Sequence, residues 1–195
     1  MNKLKKIGVS AMLLIAVNAS AQDGSSKVTG LYKNEDDFAL NKLTYQVDCN
    51  SKDGSIKPDN FFTASSKILV KENGKKYTVP KSDFFGYLDC NNKAYRFCGN
   101  QAYEIVDTTG FYMYKRTFTT AGKGGTRVTE YYFSKTGTDG LVALTKQNME
   151  DAFASDTQFR YALESEFNSD KDLISYDSYL KAYKVKHLYL ETAKK

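Results

Sequence analysis

The stretch "DFFGYLDCNNKAYRFCG", Asp83–Gly99, sets two runs of aromatic and β-favouring residues on either side of Asn91-Asn92. Two such runs around an Asn pair read as a β-hairpin, because Asn tolerates the left-handed backbone that tight turns demand. A two-residue turn at Asn91-Asn92 places Cys90 opposite Lys93 and Cys98 opposite Phe85. A three-residue loop places Cys98 opposite Gly86 instead. In either register the two cysteines stand four or five positions apart along the strands, roughly 13–17 Å at the usual rise. A disulfide needs Cα atoms within about 7 Å, so Cys90 and Cys98 do not staple this hairpin to itself.

In an oxidising compartment the third cysteine, Cys49, is the natural mate for one of them. Cys49–Cys90 is the preferred candidate disulfide, since Cys98 ends its strand inside an aromatic run. Cys98 is then a candidate free thiol, though the register alone leaves the choice open.

The hairpin pattern continues in both directions. "KILVKENGKKYTVP", Lys67–Pro80, carries Asn73-Gly74 between two β-rich runs. "QAYEIVD" and "GFYMYKRTF" flank Thr108-Thr109, "TRVTEYYFS" follows the glycine-rich "AGKGG", and "LVAL" follows "KTGTDG". Short strands at this spacing, over about 43–144, predict an antiparallel meander folded as a strongly bent sheet or a small barrel. Before them, "NEDDFALNK" reads as a helical turn or two, capped by Asn34, with Glu35, Asp36 and Asp37 on the positive end of the helix dipole.

After Leu144 the hydrophobic period changes. Thr145 caps a helix in "TKQNMEDAF", and "DTQFRYALESEF" places Phe159, Ala162, Leu163 and Phe167 on one face. Ser169 and Asp172 resemble a capping pair for a final long helix. There Leu173, Tyr176, Leu180, Tyr183, His187 and Leu190 form a continuous seam, flanked by a solvated face of Lys181, Lys184, Lys186, Lys194 and Lys195. The fold class is therefore α+β: a meander followed by two or three C-terminal helices, about 145–193, packed on it. No linker rich in Pro, Gly or Ser divides residues 31–195, which read as one domain.

The N-terminus, "MNKLKKIGVSAMLLIAVNASAQ", has a lysine-rich start, an apolar run from Ile7 to Val17 and a small-residue end at Ala19-Ser20-Ala21. This is the pattern of a cleaved signal peptide, 1–21, followed by a flexible leader, 22–30. The apolar run of 11 residues falls short of the roughly 20 a bilayer span needs, and no later segment is apolar enough. The chain carries 28 Lys+Arg and 23 Asp+Glu, but three of the lysines lie before Ala21. The remaining 174 residues have a net charge of +2, with no global field to attract nucleic acid or an anionic membrane.

Candidate chemistry is sparse. Ser-His-Asp or Cys-His catalysis needs a histidine base, and the chain has one histidine, His187, on the apolar seam. It is the residue to test for a hydrolase. No catalytic, cofactor-binding or metal-ligating set is assigned and no cofactor is expected: there is no C-x-x-C and no second histidine. "DCNSKDGS", Asp48–Ser55, departs from the EF-hand loop at Asp53 and Gly54 and reads as an Asx-rich turn. "AGKGG" lies between strands rather than before a helix, so it reads as a hairpin tip and not a phosphate loop. The 15 Tyr and 12 Phe leave a ligand pocket open, lined by Tyr87, Tyr95, Phe97, Tyr103, Tyr112 and Tyr114. The same rings could equally fill a solid core.

"GLYKNEDDF", "FFGYLDCNNKAYRF", "QAYEI", "LTKQNMEDAF" and "SDKDLISYDSYLKAYKV", taken in order, resemble an uncharacterised exported protein family of the Bacteroidota. The resemblance implies a Gram-negative location, in the periplasm or on the outer-membrane or extracellular side. It carries over no activity, cofactor or catalytic residue. The expected function is a non-enzymatic protein-interaction or structural module with an envelope protein as partner. The alternative is a periplasmic protein that binds a small apolar or aromatic-stacking ligand.

Overall fold

The computed structural model describes residues 27–58, 65–122 and 124–193. The expected signal peptide and the first five residues of the leader lie outside the described residues. The chain begins with β1 (Val28–Tyr32), α1 (Glu35–Ala39), β2 (Thr44–Asp48), β3 (Ser55–Lys57), β4 (Lys67–Glu72) and β5 (Lys75–Pro80). After a 3₁₀ turn, Lys81–Asp83, come β6 (Gly86–Leu88), β7 (Ala94–Cys98), β8 (Gln101–Asp107), β9 (Tyr112–Thr119), β10 (Arg127–Ser134) and β11 (Val142–Ala143). The C-terminal part holds α2 (Lys146–Ala152), α3 (Thr157–Glu166), α4 (Asp170–Leu173), β12 (Tyr176–Asp177), β13 (Ala182–Tyr183) and α5 (Lys184–Ala193).

The expected α+β architecture is present. Strands β6 to β11 run as an antiparallel meander, extended past β6 by β1 and then β2 into one eight-stranded sheet. The sheet is open, with β11 and β2 as its edges, and does not close into a barrel. Strands β3, β4 and β5 form a separate three-stranded sheet. The Asn73-Gly74 turn joins β4 to β5 with both residues at positive φ, 50° and 78°, which is the backbone a two-residue hairpin loop needs. Asn34 and Thr145 cap α1 and α2, each accepting a backbone N–H with its side-chain oxygen.

Three expectations require correction. Val28–Gly30 belong to β1 and not to a flexible leader. This strand lies between β2 and β6, with Leu31 and Tyr32 buried and the Thr29 hydroxyl donating to the Leu88 carbonyl at 2.6 Å. The opening hairpin turns one residue early. Gly86 pairs with Arg96 and Leu88 with Ala94, so the loop is Cys90–Asn92, and Cys98 extends beyond β6 to pair with Gln101. The Asp89 carboxylate causes this by accepting the N–H groups of Asn91 and Lys93, both at 2.8 Å, while Asn92 takes a φ of 61°. The final helix is also broken. The Asp177 carboxylate captures the N–H groups of Tyr179 and Leu180, Lys181 sits at a φ of 51°, and the β12–β13 hairpin interrupts the seam.

Two apolar clusters lie against the same face of the large sheet. At one end Phe111, Met113 and Phe133 meet Met149, Phe153, Phe159, Leu163, Phe167, Leu173 and Val185 from the helical part. At the other, Leu31 and Phe97 meet Ile68 and Val70 of the small sheet. A bulge in the β1–β2 ladder, with Tyr45 at a φ of 55°, goes with ring contacts from Tyr45 to Tyr77 and Phe84, at 5.8 and 6.0 Å.

Candidate functional site

Antiparallel register decides which side chains share a face. Leu31 pairs with Tyr87, Tyr87 with Tyr95, Tyr95 with Glu104, Glu104 with Lys115, and Lys115 with Tyr131. These six residues form one row across the sheet, on the face that carries both apolar clusters. Its fourth and fifth members, Glu104 and Lys115, are charged. Glu104 accepts Lys115 at 3.1 Å through one carboxylate oxygen and Lys93 at 3.4 Å through the other.

The Lys93–Glu104–Lys115 bridge borders two open clefts of about 440 and 480 Å³. The first runs between β8 and β9 toward the β9–β10 hairpin tip, where Arg116, Thr117 and Arg127 line it. The β8–β9 ladder reaches only Glu104–Lys115, and Gln101–Tyr103 and Arg116–Thr119 have no cross-strand partner in it. Four cations and one carboxylate line this cleft. The second cleft lies beside Val106, Asp107 and Tyr183. Tyr95 stands in the row beside the bridge and donates to Asp89 at 3.5 Å; its phenol is pushed up to about 12 by burial, and next by the charges of Asp89 and Glu104.

The residues expected to line a pocket divide between the two faces. Tyr87, Tyr95 and Phe97 lie on the row's face and stack on one another, at 4.7 Å for Tyr87–Tyr95 and 5.6 Å for Tyr87–Phe97. Tyr103, Tyr112 and Tyr114 lie on the opposite face with Arg96. There Arg96 is buried and donates to the Tyr114 hydroxyl at 2.9 Å, Ser134 Oγ at 3.2 Å and the Asp139 carbonyl at 2.6 Å. Beside it Glu35 accepts the Gly137 N–H, and burial together with the Glu35 carboxylate raises the Tyr112 phenol. This network ties α1 and the 135–140 loop to the sheet, its buried charge satisfied by neutral oxygens.

Cys49 and Cys90 stand at disulfide distance, with Cα atoms 5.7 Å apart, and join the end of edge strand β2 to the β6–β7 loop. Cys98 is free and half-buried. His187 does not lie on a buried seam. It is half-exposed on α5 and faces Glu191, one turn on, at 3.1 Å. Lys186, expected on the solvated face, is buried instead. Its ammonium reaches the carbonyls of Thr109 at 3.0 Å and Asp107 at 3.5 Å, that of Phe111, and the Asp107 carboxylate at 3.5 Å. The helix starts afresh at Lys184 and so changes phase, which turns this lysine onto the β8–β9 loop. Burial pushes its pKa down to about 8, against the opposing pull of Asp107.

The Asp48 carboxylate accepts the Asn50 N–H at 2.8 Å, the Asx turn expected there. Among the described residues no group of three His, Cys, Asp or Glu side chains could hold a metal ion. No helix among them is long and apolar enough to cross a membrane. Comparison with family models, curated proteins and solved structures found no match to the chain.

The charged row was missed in the sequence. Its signal was there: Glu104 shares its strand phase with Ala102, and Lys115 shares its phase with Met113, so each puts a charge where alternation points to the covered face.

Proposed function

We propose that the chain is an exported protein-interaction module, acting in the envelope or outside a Gram-negative cell, and that the charged row on its large sheet receives the partner. One observation carries the reading: a carboxylate shared by two lysines between two open clefts, with further cations along one of them. The bridge leaves excess positive charge on a half-buried surface, where charge complementarity selects partners and guides their approach. The paired Cys49 and Cys90, and the lysine-rich, apolar, small-residue N-terminus, support an oxidising destination.

The test places a photo-crosslinking residue at Thr117, inside the cleft, and separately at Glu164 on the exposed side of α3, in cells of the native host. The reading expects a protein-sized adduct at Thr117 that vanishes with Lys115→Glu, and no such adduct at Glu164. Equal adducts at both sites would overturn it. So would a small molecule retained in stoichiometric amount during native mass spectrometry, which would install the small-ligand reading in its place.

A further inference from the structure

We infer that the β8–β9 cleft takes an extended, acidic segment of a protein partner, with acidic side chains four residues apart. This rests on the protein-interaction reading above and specifies the chemistry of the partner.

Extended chains repeat their facing side chains every second residue, at about 3.3 Å per residue. Lys115, Thr117 and Thr119 alternate along one face of β9, and Arg127 pairs with Thr119 on that same face. Lys115 and Arg127 are thus four positions apart along the strand direction, roughly 13 Å, with Arg127 one strand over, about 4.8 Å to the side. Between them the Thr117 and Thr129 hydroxyls hydrogen-bond to each other at 2.8 Å, a small polar floor with no charge. Acidic side chains at positions i and i+4 of an extended segment match the two cations, and i+2 falls over the threonines.

The charge balance favours an acidic occupant. Among the described residues no carboxylate stands within 4.0 Å of Arg116 or Arg127, while Lys93 and Lys115 share a single one. The strand geometry favours a polypeptide. Gln101 and Ala102 on one side of the cleft and Arg116, Thr117 and Phe118 on the other lie outside the β8–β9 ladder, so an extended backbone meets strand edges along its length. Glu104 already holds the place of an incoming carboxylate between Lys93 and Lys115. A ligand competes with it, and its removal strengthens binding.

The probes are a ten-residue serine peptide with Glu at positions 3 and 7, the same peptide with Lys for Glu, the acidic peptide N-methylated at alternate Ser residues, and succinate. Binding is followed by amide chemical shifts and calorimetry. The acidic peptide should bind with shifts centred on 101–104 and 115–119, and the lysine peptide should not. Lys115→Glu and Arg127→Glu should each weaken binding at least tenfold, while Glu104→Gln should strengthen it severalfold. N-methylation should weaken it tenfold with charge unchanged. Equal binding of the acidic and basic peptides, or an acidic peptide unaffected by Glu104→Gln, would overturn the inference. Binding of succinate as tight as that of the peptide would assign the cleft to small anions and likewise overturn it. If no peptide binds while the Thr117 adduct still depends on Lys115, the acidic-segment inference falls and the protein-interaction reading stands. Unchanged amide dispersion outside the cleft shows that each variant is folded.

Discussion

The two ends of the eight-stranded sheet bury apolar surface in different ways. At the helical end, eleven buried side chains form one cluster, and Phe153 contacts Phe111, Phe133, Phe159 and Tyr189 at ring distances of 5.2 to 6.3 Å. At the small-sheet end the buried members of the cluster among the described residues are Leu31, Ile68, Val70 and Phe97, and the Cys49–Cys90 bridge closes a loop that contains β3, β4 and β5. The disulfide lies at the end with the smaller described cluster, where cross-linking lowers the entropy cost of ordering the strands it closes over. Between these two ends the sheet keeps its charged row.

The largest effect should come from the helical end. Phe153→Ala removes the hub of the aromatic cluster and should cost about 4 kcal/mol in urea denaturation. Amides of α3 and α5 should lose hydrogen-exchange protection before those of β4 and β5. Removing the staple should do the reverse. Cys49→Ser with Cys90→Ser should cost about 3 kcal/mol, with protection lost first in β3, β4 and β5. If both variants lose protection uniformly, the two ends form one cooperative unit and the contrast between them is broken.

Lys186 sharpens the comparison through pH. Its folded pKa, about 8, lies below the ordinary 10.5. The fold therefore disfavours the ammonium, a penalty complete below pH 8 and relieved as pH climbs toward the unfolded value. Stability should rise by about 2 kcal/mol between about pH 8 and pH 10, and the rise should be absent in Lys186→Met. Above pH 10 the trend should reverse. Tyr95 and Tyr132, both pushed up to about 12 with burial as the first cause, stay protonated in the fold and lose their contribution as pH passes through that range. The smallest effect belongs to His187→Ala, which removes a half-exposed pair with Glu191 and should change stability by no more than about 0.5 kcal/mol in the same denaturation series.

Much of this molecule was legible in the residues because short-range causes act on few neighbours. Asn73-Gly74 makes its turn, and Asn34 and Thr145 cap their helices, with groups no more than three residues away. The exclusion of Cys98 as the mate of Cys90 also followed from strand geometry within one hairpin. Even the Cys90–Asn92 loop follows from Asp89, a neighbour that outcompeted the Asn pair for the turn.

What only the tertiary structure decided depends on partners far along the chain. Val28–Gly30 become part of a strand because Asp48 and Val47 of β2 pair with Val28 and Thr29, and Leu88 of β6, more than fifty residues later, pairs with Gly30. Lys186 is buried because carbonyls at 107–111 surround its ammonium. The row Tyr95–Glu104–Lys115 exists only through the register of three strands, and each of its charges read alone is an ordinary polar residue. Local chemistry specifies turns, caps and the phase of each strand. Which phases align across a sheet, and so which charges meet, is set by the packing of the whole chain.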